Sequence, residues 1–120
     1  MHQFYRHIES YGHKGKIGVL VEFAMGNDFT PYTNEFSALA KDIALHVAAS
    51  SPVSVEDLLQ QAFVKNNDST VGQLLIETSN ALHDQISIVR FVHWQADLTR
   101  PEPPEPPRSP ANVVRLKNQA

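Results

Sequence analysis

Six histidines, at positions 2, 7, 13, 46, 83 and 93, are the side chains of this 120-residue chain with the widest chemical range. His7 and His93 each fall in a strand-like run and could meet across paired strands to hold a metal. Scattered histidines are more often surface or partly buried residues, so no metal is expected. His83-Asp84 has the composition of an acid/base pair, but its place at a helix end favours a C-capping role. Gly12, Gly15 and Gly18 span a turn between strands and do not open a helix, so they make no phosphate-binding loop. No spacing fits a metalloprotease or a calcium loop. The chain has no cysteine, which excludes a thiol nucleophile, a thiolate zinc site and a disulfide framework. No catalytic residue and no cofactor are expected, and the chain reads as a non-enzyme.

Asp28-Phe29 differs in kind. It puts an acid and a large aromatic together in the loop Gly26-Asn27-Asp28-Phe29-Thr30-Pro31, between an apolar run and a helical pattern. Asp28 could cap the turn while Phe29 plugs the core beside Phe36. Alternatively, Phe29 could project and anchor a partner, since aromatics on rigidly held loops make interface hot spots. Spacing alone leaves both open.

The elements around this loop are readable. Residues 4–25 are expected to form a β-hairpin, with Gly12-His13-Lys14-Gly15 at the turn. Its second strand, Ile17-Gly-Val-Leu-Val-Glu-Phe23, is β-branched and apolar. Phe36, Leu39, Ala40, Ile43, Val47 and Ala48 form one stripe on a 3.6-residue period, which predicts a helix over 33–49. Thr30-Pro31 or Thr33-Asn34 supplies its N-cap, and Ser50-Ser51-Pro52 ends it. Ser54-Val-Glu-Asp57 resembles a capping signal and opens a short helix through about residue 62. After the polar break at 65–68, Asp68 or Ser69 caps a second long helix with Val71, Leu74, Leu75, Thr78 and Leu82 on its apolar face. Residues 86–95 return to the sheet. The order β-β-α-(short α)-α-β predicts an α+β fold, a three-stranded antiparallel sheet packed against a helical layer.

Composition bounds the rest. The 42% hydrophobic content suffices for a modest core in residues 1–98. Six of the eight prolines crowd into residues 100–110, so 99–120 is read as a proline-rich flexible tail. Its Arg100-x-x-Pro103-x-x-Pro106 matches a proline-groove ligand, although a solvated linker is the simpler reading. Residues 1–98 carry six basic and eleven acidic side chains, while the tail carries four and two. A net-acidic core argues against nucleic acid as partner. No apolar run approaches the ~18–20 residues of a bilayer-spanning helix, and the N-terminus lacks a basic-then-apolar leader. A cytoplasmic protein that does not engage membranes is expected.

Three blocks carry a resemblance. Tyr11-Gly-His-Lys-Gly-Lys-Ile-Gly-Val-Leu-Val-Glu22, Asn27-Asp-Phe29 and Asn34-Glu-Phe-Ser-Ala-Leu-Ala-Lys-Asp-Ile-Ala-Leu-His-Val-Ala-Ala49 closely resemble the central part of bacterial elongation factor Ts. That family typically reads "GRIGVLVE", "TDFV" and "NEEF..LAKDIAMHIAA" there. The likeness resumes at Gln61-Ala-Phe-Val-Lys65 and Thr70-Val-Gly-Gln-Leu-Leu75, and closes at Ile86-Ser-Ile-Val-Arg-Phe-Val92. It covers roughly residues 5–95.

The resemblance implies the family's core, or dimerisation, domain. In the family this region binds elongation factor Tu and promotes GDP release. The Asp-Phe pair, here Asp28-Phe29, pushes into the GTPase's nucleotide domain and disturbs its magnesium site. The partner-binding residues implied are Asn27, Asp28, Phe29 and Thr30, and the partner is elongation factor Tu or a related GTPase.

The departures are specific. The family's N-terminal ubiquitin-associated-like domain has no counterpart here, and a long helical segment has shrunk to residues 50–60. The family's Gly-Glu-Asn-Ile is here His83-Asp-Gln-Ile86, and the proline-rich tail is foreign to the family. The alternative expectation is a stand-alone dimerisation or assembly module, a homodimer that kept the fold and lost exchange activity.

Overall fold

The computed structural model describes residues 4–96; the proline-rich segment and its groove-ligand match lie outside them. Strand β1 (Tyr5–His13) and strand β2 (Ile17–Met25) form the expected hairpin. Its three-residue connection, Lys14-Gly15-Lys16, has φ of 55° and 71° at Lys14 and Gly15, and the Lys16 N–H donates to the His13 carbonyl at 2.9 Å. Two positive φ values in succession give the twist that suits a tight hairpin and favour glycine at the second position. Gly12 lies within β1 instead, opposite Gly18.

Helix α1 (Asn34–Ser50) follows the loop after β2. Of the two candidate caps, Thr33 takes the role, its hydroxyl accepting from the Phe36 N–H at 3.1 Å. Thr30-Pro31 instead starts a single 3-10 turn, Thr30–Tyr32. The helix stops at Ser51, which adopts a left-handed conformation (φ 49°) just before Pro52. Helix α2 (Val55–Gln60) is capped by Ser54, whose hydroxyl accepts from the Asp57 N–H.

The next segment departs from the sequence expectation. Residues read as a polar break belong to a small hairpin, β3 (Ala62–Phe63) with β4 (Asn66–Thr70). β4 reads Asn-Asn-Asp-Ser-Thr, which has no apolar alternation to announce a strand. Helix α3 (Val71–Ala81) accordingly starts later than a cap at Asp68 or Ser69 would allow. Thr70 is the N-cap and forms a full capping box with Gln73. Gly72 allows a close approach of α3 to α2, since a Cβ there would meet the Leu59 carbonyl oxygen at 3.0 Å, a tight contact.

Strand β5 (Ser87–Gln95) returns antiparallel to β2, giving the sheet order β1-β2-β5. The register slips where Phe23 faces Ile88 and Glu22 faces Arg90, leaving Val89 as the extra residue of a bulge. The architecture is α+β, a three-stranded antiparallel sheet with its helices on one face. Val19, Val21, Phe23 and Met25 point inward from β2 onto Phe36, Leu39, Ala40, Ile43 and Val47 of α1. Phe23 and Phe36 meet edge to face, with ring centroids 5.3 Å apart.

This topology separates His7 from His93. They lie on the two edge strands, opposite Phe23 and Val19 of the central strand. His7 pairs with Glu9 at 2.8 Å and packs against Phe36, while His93 Nδ1 lies 3.3 Å from the Ser51 hydroxyl. Among the described residues no cluster of three potential metal ligands occurs, and no helix is long and apolar enough to cross a membrane.

Candidate functional site

The segment between β2 and α1 turns outward at its tip and is fixed at its base. Phe29 is 51% exposed and Asp28 is exposed beside it. Phe29 therefore does not plug the core beside Phe36, which is itself fully buried. Tyr32, three residues on, is also exposed. An aromatic of this size with half its surface in water contributes little to the core and leaves apolar area for a partner.

Thr30 and Asn27 face the other way. Thr30 is completely buried, and Asn27 is half-buried. Both are tied to a carboxylate from a distant part of the chain. Asp84 lies between the end of α3 and the start of β5. Its Oδ1 accepts from the Gly26 N–H at 2.9 Å, and its Oδ2 accepts from the Asn27 N–H at 3.1 Å and from the Thr30 hydroxyl at 2.5 Å. The Asn27 side-chain amide adds a hydrogen bond to the His83 carbonyl at 3.2 Å. Consecutive N–H groups in a turn form a shallow concavity suited to an anion, and a carboxylate with two oxygens can satisfy several such donors at once.

The electrostatics follow from these contacts. Partial burial pushes the Asp84 carboxyl up. The hydrogen bonds from Thr30, Gly26, Gln85 and Asn27 outweigh that and hold it below the usual carboxylate range. Asp84 is therefore ionised at neutral pH, as its acceptor role requires.

The chain reaches Asp84 by a sharp turn. The Leu82 N–H donates to the Thr78 carbonyl and the Asp84 N–H to the Ser79 carbonyl. Between them His83 has φ 52°, in the left-handed region that favours glycine. His83 thus marks the helix end through its backbone, and Asp84 serves the neighbouring loop. No proton-transfer pairing of these two side chains is formed among the described hydrogen bonds.

Of the four residues singled out from sequence, Asp28 and Phe29 present the loop, while Asn27 and Thr30 anchor it. Asp84, the residue that collects the anchors, is neither half of an acid/base pair with His83 nor a helix cap in its side chain, the two roles the sequence suggests. The signal for it lay in the His83-Asp84-Gln85-Ile86 block, where an acid stands at the place of the family's glutamate. Its target, though, is 54 to 58 residues away in sequence.

Among the described residues, none of the helices packs on the opposite face of the sheet. Ile8, Leu20, Val92 and Trp94 are all exposed there, with Leu20 opposite Val92 and Gly18 opposite Trp94. A row of charge borders this stripe. Glu22 accepts from Arg90 at 2.6 Å and Arg6 at 3.1 Å, and these two guanidinium groups hold its carboxyl below the ordinary range.

Comparisons with known proteins identify relatives of the chain. The family model described as "Elongation factor TS" matches residues 2–58. The chain is 33% identical to elongation factor Ts of Alkaliphilus oremlandii, over 73% of this chain and 62% of that relative. It is 30% identical to elongation factor Ts of Rubrobacter xylanophilus, over 73% of this chain and 69% of the relative. For Trichlorobacter lovleyi the figures are 35%, 69% and 27%. The chain thus spans less than two thirds of the Alkaliphilus relative's length. That aligned stretch is 133 positions long but takes in only 73% of this 120-residue chain, so the relative carries residues with no counterpart here. On this likeness, the chain belongs to the elongation factor Ts family.

Proposed function

We propose that this chain binds elongation factor Tu, or a related GTPase, through the Phe29 loop and promotes GDP release in cytoplasmic translation. The observation that carries this reading is Phe29 itself, half-exposed on a loop whose base is tied down by Asp84. Exchange of this kind needs no bond-making side chain. A wedge that fits the nucleotide-free GTPase better than the GDP-bound one lowers GDP affinity by linkage, to the same extent that GDP lowers affinity for the wedge. A rigid loop suits the task, since a floppy one would lose ordering entropy on contact. Asp28, exposed next to the ring, gives the tip a negative charge that can orient it on the partner.

The test is to mix the protein with elongation factor Tu carrying fluorescent GDP and follow release. Acceleration that rises with protein concentration and saturates supports the reading. Phe29→Ala should cut the maximal release rate about tenfold or more, the effect of losing an interface hot spot. No acceleration and no complex would remove the proposal. Full activity of the Phe29→Ala protein would remove only the wedge.

A second reading, compatible with the first, is a homodimer through the outer sheet face. It is favoured by the exposed Ile8, Leu20, Val92 and Trp94, because apolar patches on a sheet are commonly covered by a second copy. Trp94, the only tryptophan, reports on it. Its emission should shift to the blue as concentration rises, in step with sedimentation as a dimer. A concentration-independent monomer counts against this reading.

A further inference from the structure

Asp84 is placed to do more than end a helix. It connects three separate parts of the fold: the turn after α3, the start of β5, and the loop that carries Phe29. Gly26 and Asn27 have their N–H groups turned inward on its carboxylate, the fully buried Thr30 hydroxyl joins them, and the adjacent Gln85 N–H donates to Oδ1 at 2.6 Å. These are donors only, or act as donors here, so the group they surround must supply lone pairs on both oxygens. Its carboxamide analogue has the same shape but one acceptor oxygen, and its NH2 would face a donor.

We propose that Asp84 is the positioning residue of the partner-binding loop, holding it in the conformation that presents Phe29. This rests on the proposed exchange function and deepens it. Phe29 is the part that would touch the GTPase, and Asp84 acts through the loop without touching the partner. The two roles leave different kinetic signatures. A loop that samples its presenting conformation only part of the time binds more weakly in proportion to that fraction. Loss of Asp84 should therefore raise the protein concentration needed for half-maximal GDP release. The rate at saturation should change little, because the bound loop is still ordered and still carries Phe29. Loss of Phe29 should lower the saturating rate itself.

The experiment uses the full chain with Asp84→Asn, Asp84→Glu and Thr30→Val. Amide hydrogen exchange of Gly26 and Asn27 is measured on the protein alone. Release of fluorescent GDP from elongation factor Tu is measured over a concentration series. Asp84→Asn should speed exchange of the Asn27 amide about tenfold and raise the half-saturating concentration by a similar factor, the effect of losing a hydrogen bond to a charged acceptor. The amides of α1 and β2 should keep their protection. Asp84→Glu, which keeps the charge on a longer arm, should retain more of both properties than the isosteric Asn variant. A role limited to filling space predicts the reverse order.

Thr30→Val keeps the charge and the side-chain shape while removing one donor. It should show the same changes at smaller size, and it carries the test if Asp84→Asn does not fold. Unchanged loop amides in both variants would overturn the clamp. Loosened amides with an unchanged half-saturating concentration would overturn the positioning role. If the wild-type protein fails to release GDP at all, the exchange reading falls and takes this proposal with it. That outcome is distinguishable, since the amide measurement involves no GTPase.

Discussion

Two loops of this molecule are held by the same kind of device and turn an aromatic residue in opposite directions. The 26–30 loop is held by Asp84 and presents Phe29 to solvent. The β3–β4 hairpin is held by His46 and carries Phe63 inward, where it is 4% exposed. His46 is itself fully buried in α1. Its Nδ1 lies 3.2 Å from the Val64 N–H, which can only donate, so Nδ1 must accept. Its Nε2 then donates to the Gln61 side-chain oxygen at 2.8 Å. The ring also stacks near Phe63, with centroids 6.0 Å apart. Thus a neutral side chain inside the core stabilises the hairpin, while an ionised one nearer the surface stabilises the loop. A pinned backbone is not itself a sign of function. The direction of the aromatic decides whether the pin serves the core or a surface.

The largest test of the contrast is Phe63→Ala. Removing a buried aromatic leaves a cavity as well as lost contacts, so a cost of about 3–5 kcal/mol is expected, read by urea or thermal unfolding. His46→Leu fills similar space but strands the Val64 N–H and the Gln61 side chain. About 2–3 kcal/mol should be lost, with amide exchange of Val64 rising before that of the central sheet. If His46→Leu were neutral, the hairpin would be held by Phe63 alone and the parallel with Asp84 would fail.

The Asp84 pin should respond to acid with a defined sign. Its carboxyl is depressed in the folded protein, so its contribution is fully present above the unfolded value of about 3.9 and is lost as pH falls through the lower folded value. Protection of the Gly26 and Asn27 amides should therefore be level from neutrality down to about pH 4 and fall below it. The other titratable side chains of these two segments are Asp28 and His83. Neither engages the Gly26 or Asn27 N–H in the described hydrogen bonds. Loss of protection well above pH 4 would count against Asp84 as the pin.

Legibility in the sequence follows the range of each interaction. The β1–β2 hairpin and the α1 stripe were readable because period and turn chemistry act within a few residues. Ser54 was readable as a cap for the same reason. The β3–β4 hairpin was not, since its second strand is polar and owes its shape to Phe63 and His46. His46 carried a usable signal, standing seven residues after Leu39 and so on the same helical face. Asp84 carried almost none, because what it binds is fixed only when β5 docks beside β2. For Phe29, spacing could not choose between core and surface. The fold chooses by burying Phe36 and leaving about half of Phe29 in water.

Two small effects sharpen the comparison most. His83→Gly relieves a left-handed residue next to the pin but adds freedom to the unfolded chain, so the net gain should be at most about 1 kcal/mol, seen as a slightly higher thermal midpoint. Phe29→Ala should change stability by no more than about 0.5 kcal/mol, as for surface substitutions away from structural features. That near-zero value is informative beside Phe63→Ala. The same chemical change, Phe to Ala, would then cost several kcal/mol in one pinned loop and almost nothing in the other. A protein that keeps a large aromatic half in water, on a loop ordered by a carboxylate, would then gain little in folding from that ring. If Phe29→Ala instead cost 2 kcal/mol or more, the ring would belong to the core. The loop would then be a second instance of the β3–β4 arrangement and not a surface prepared for a partner.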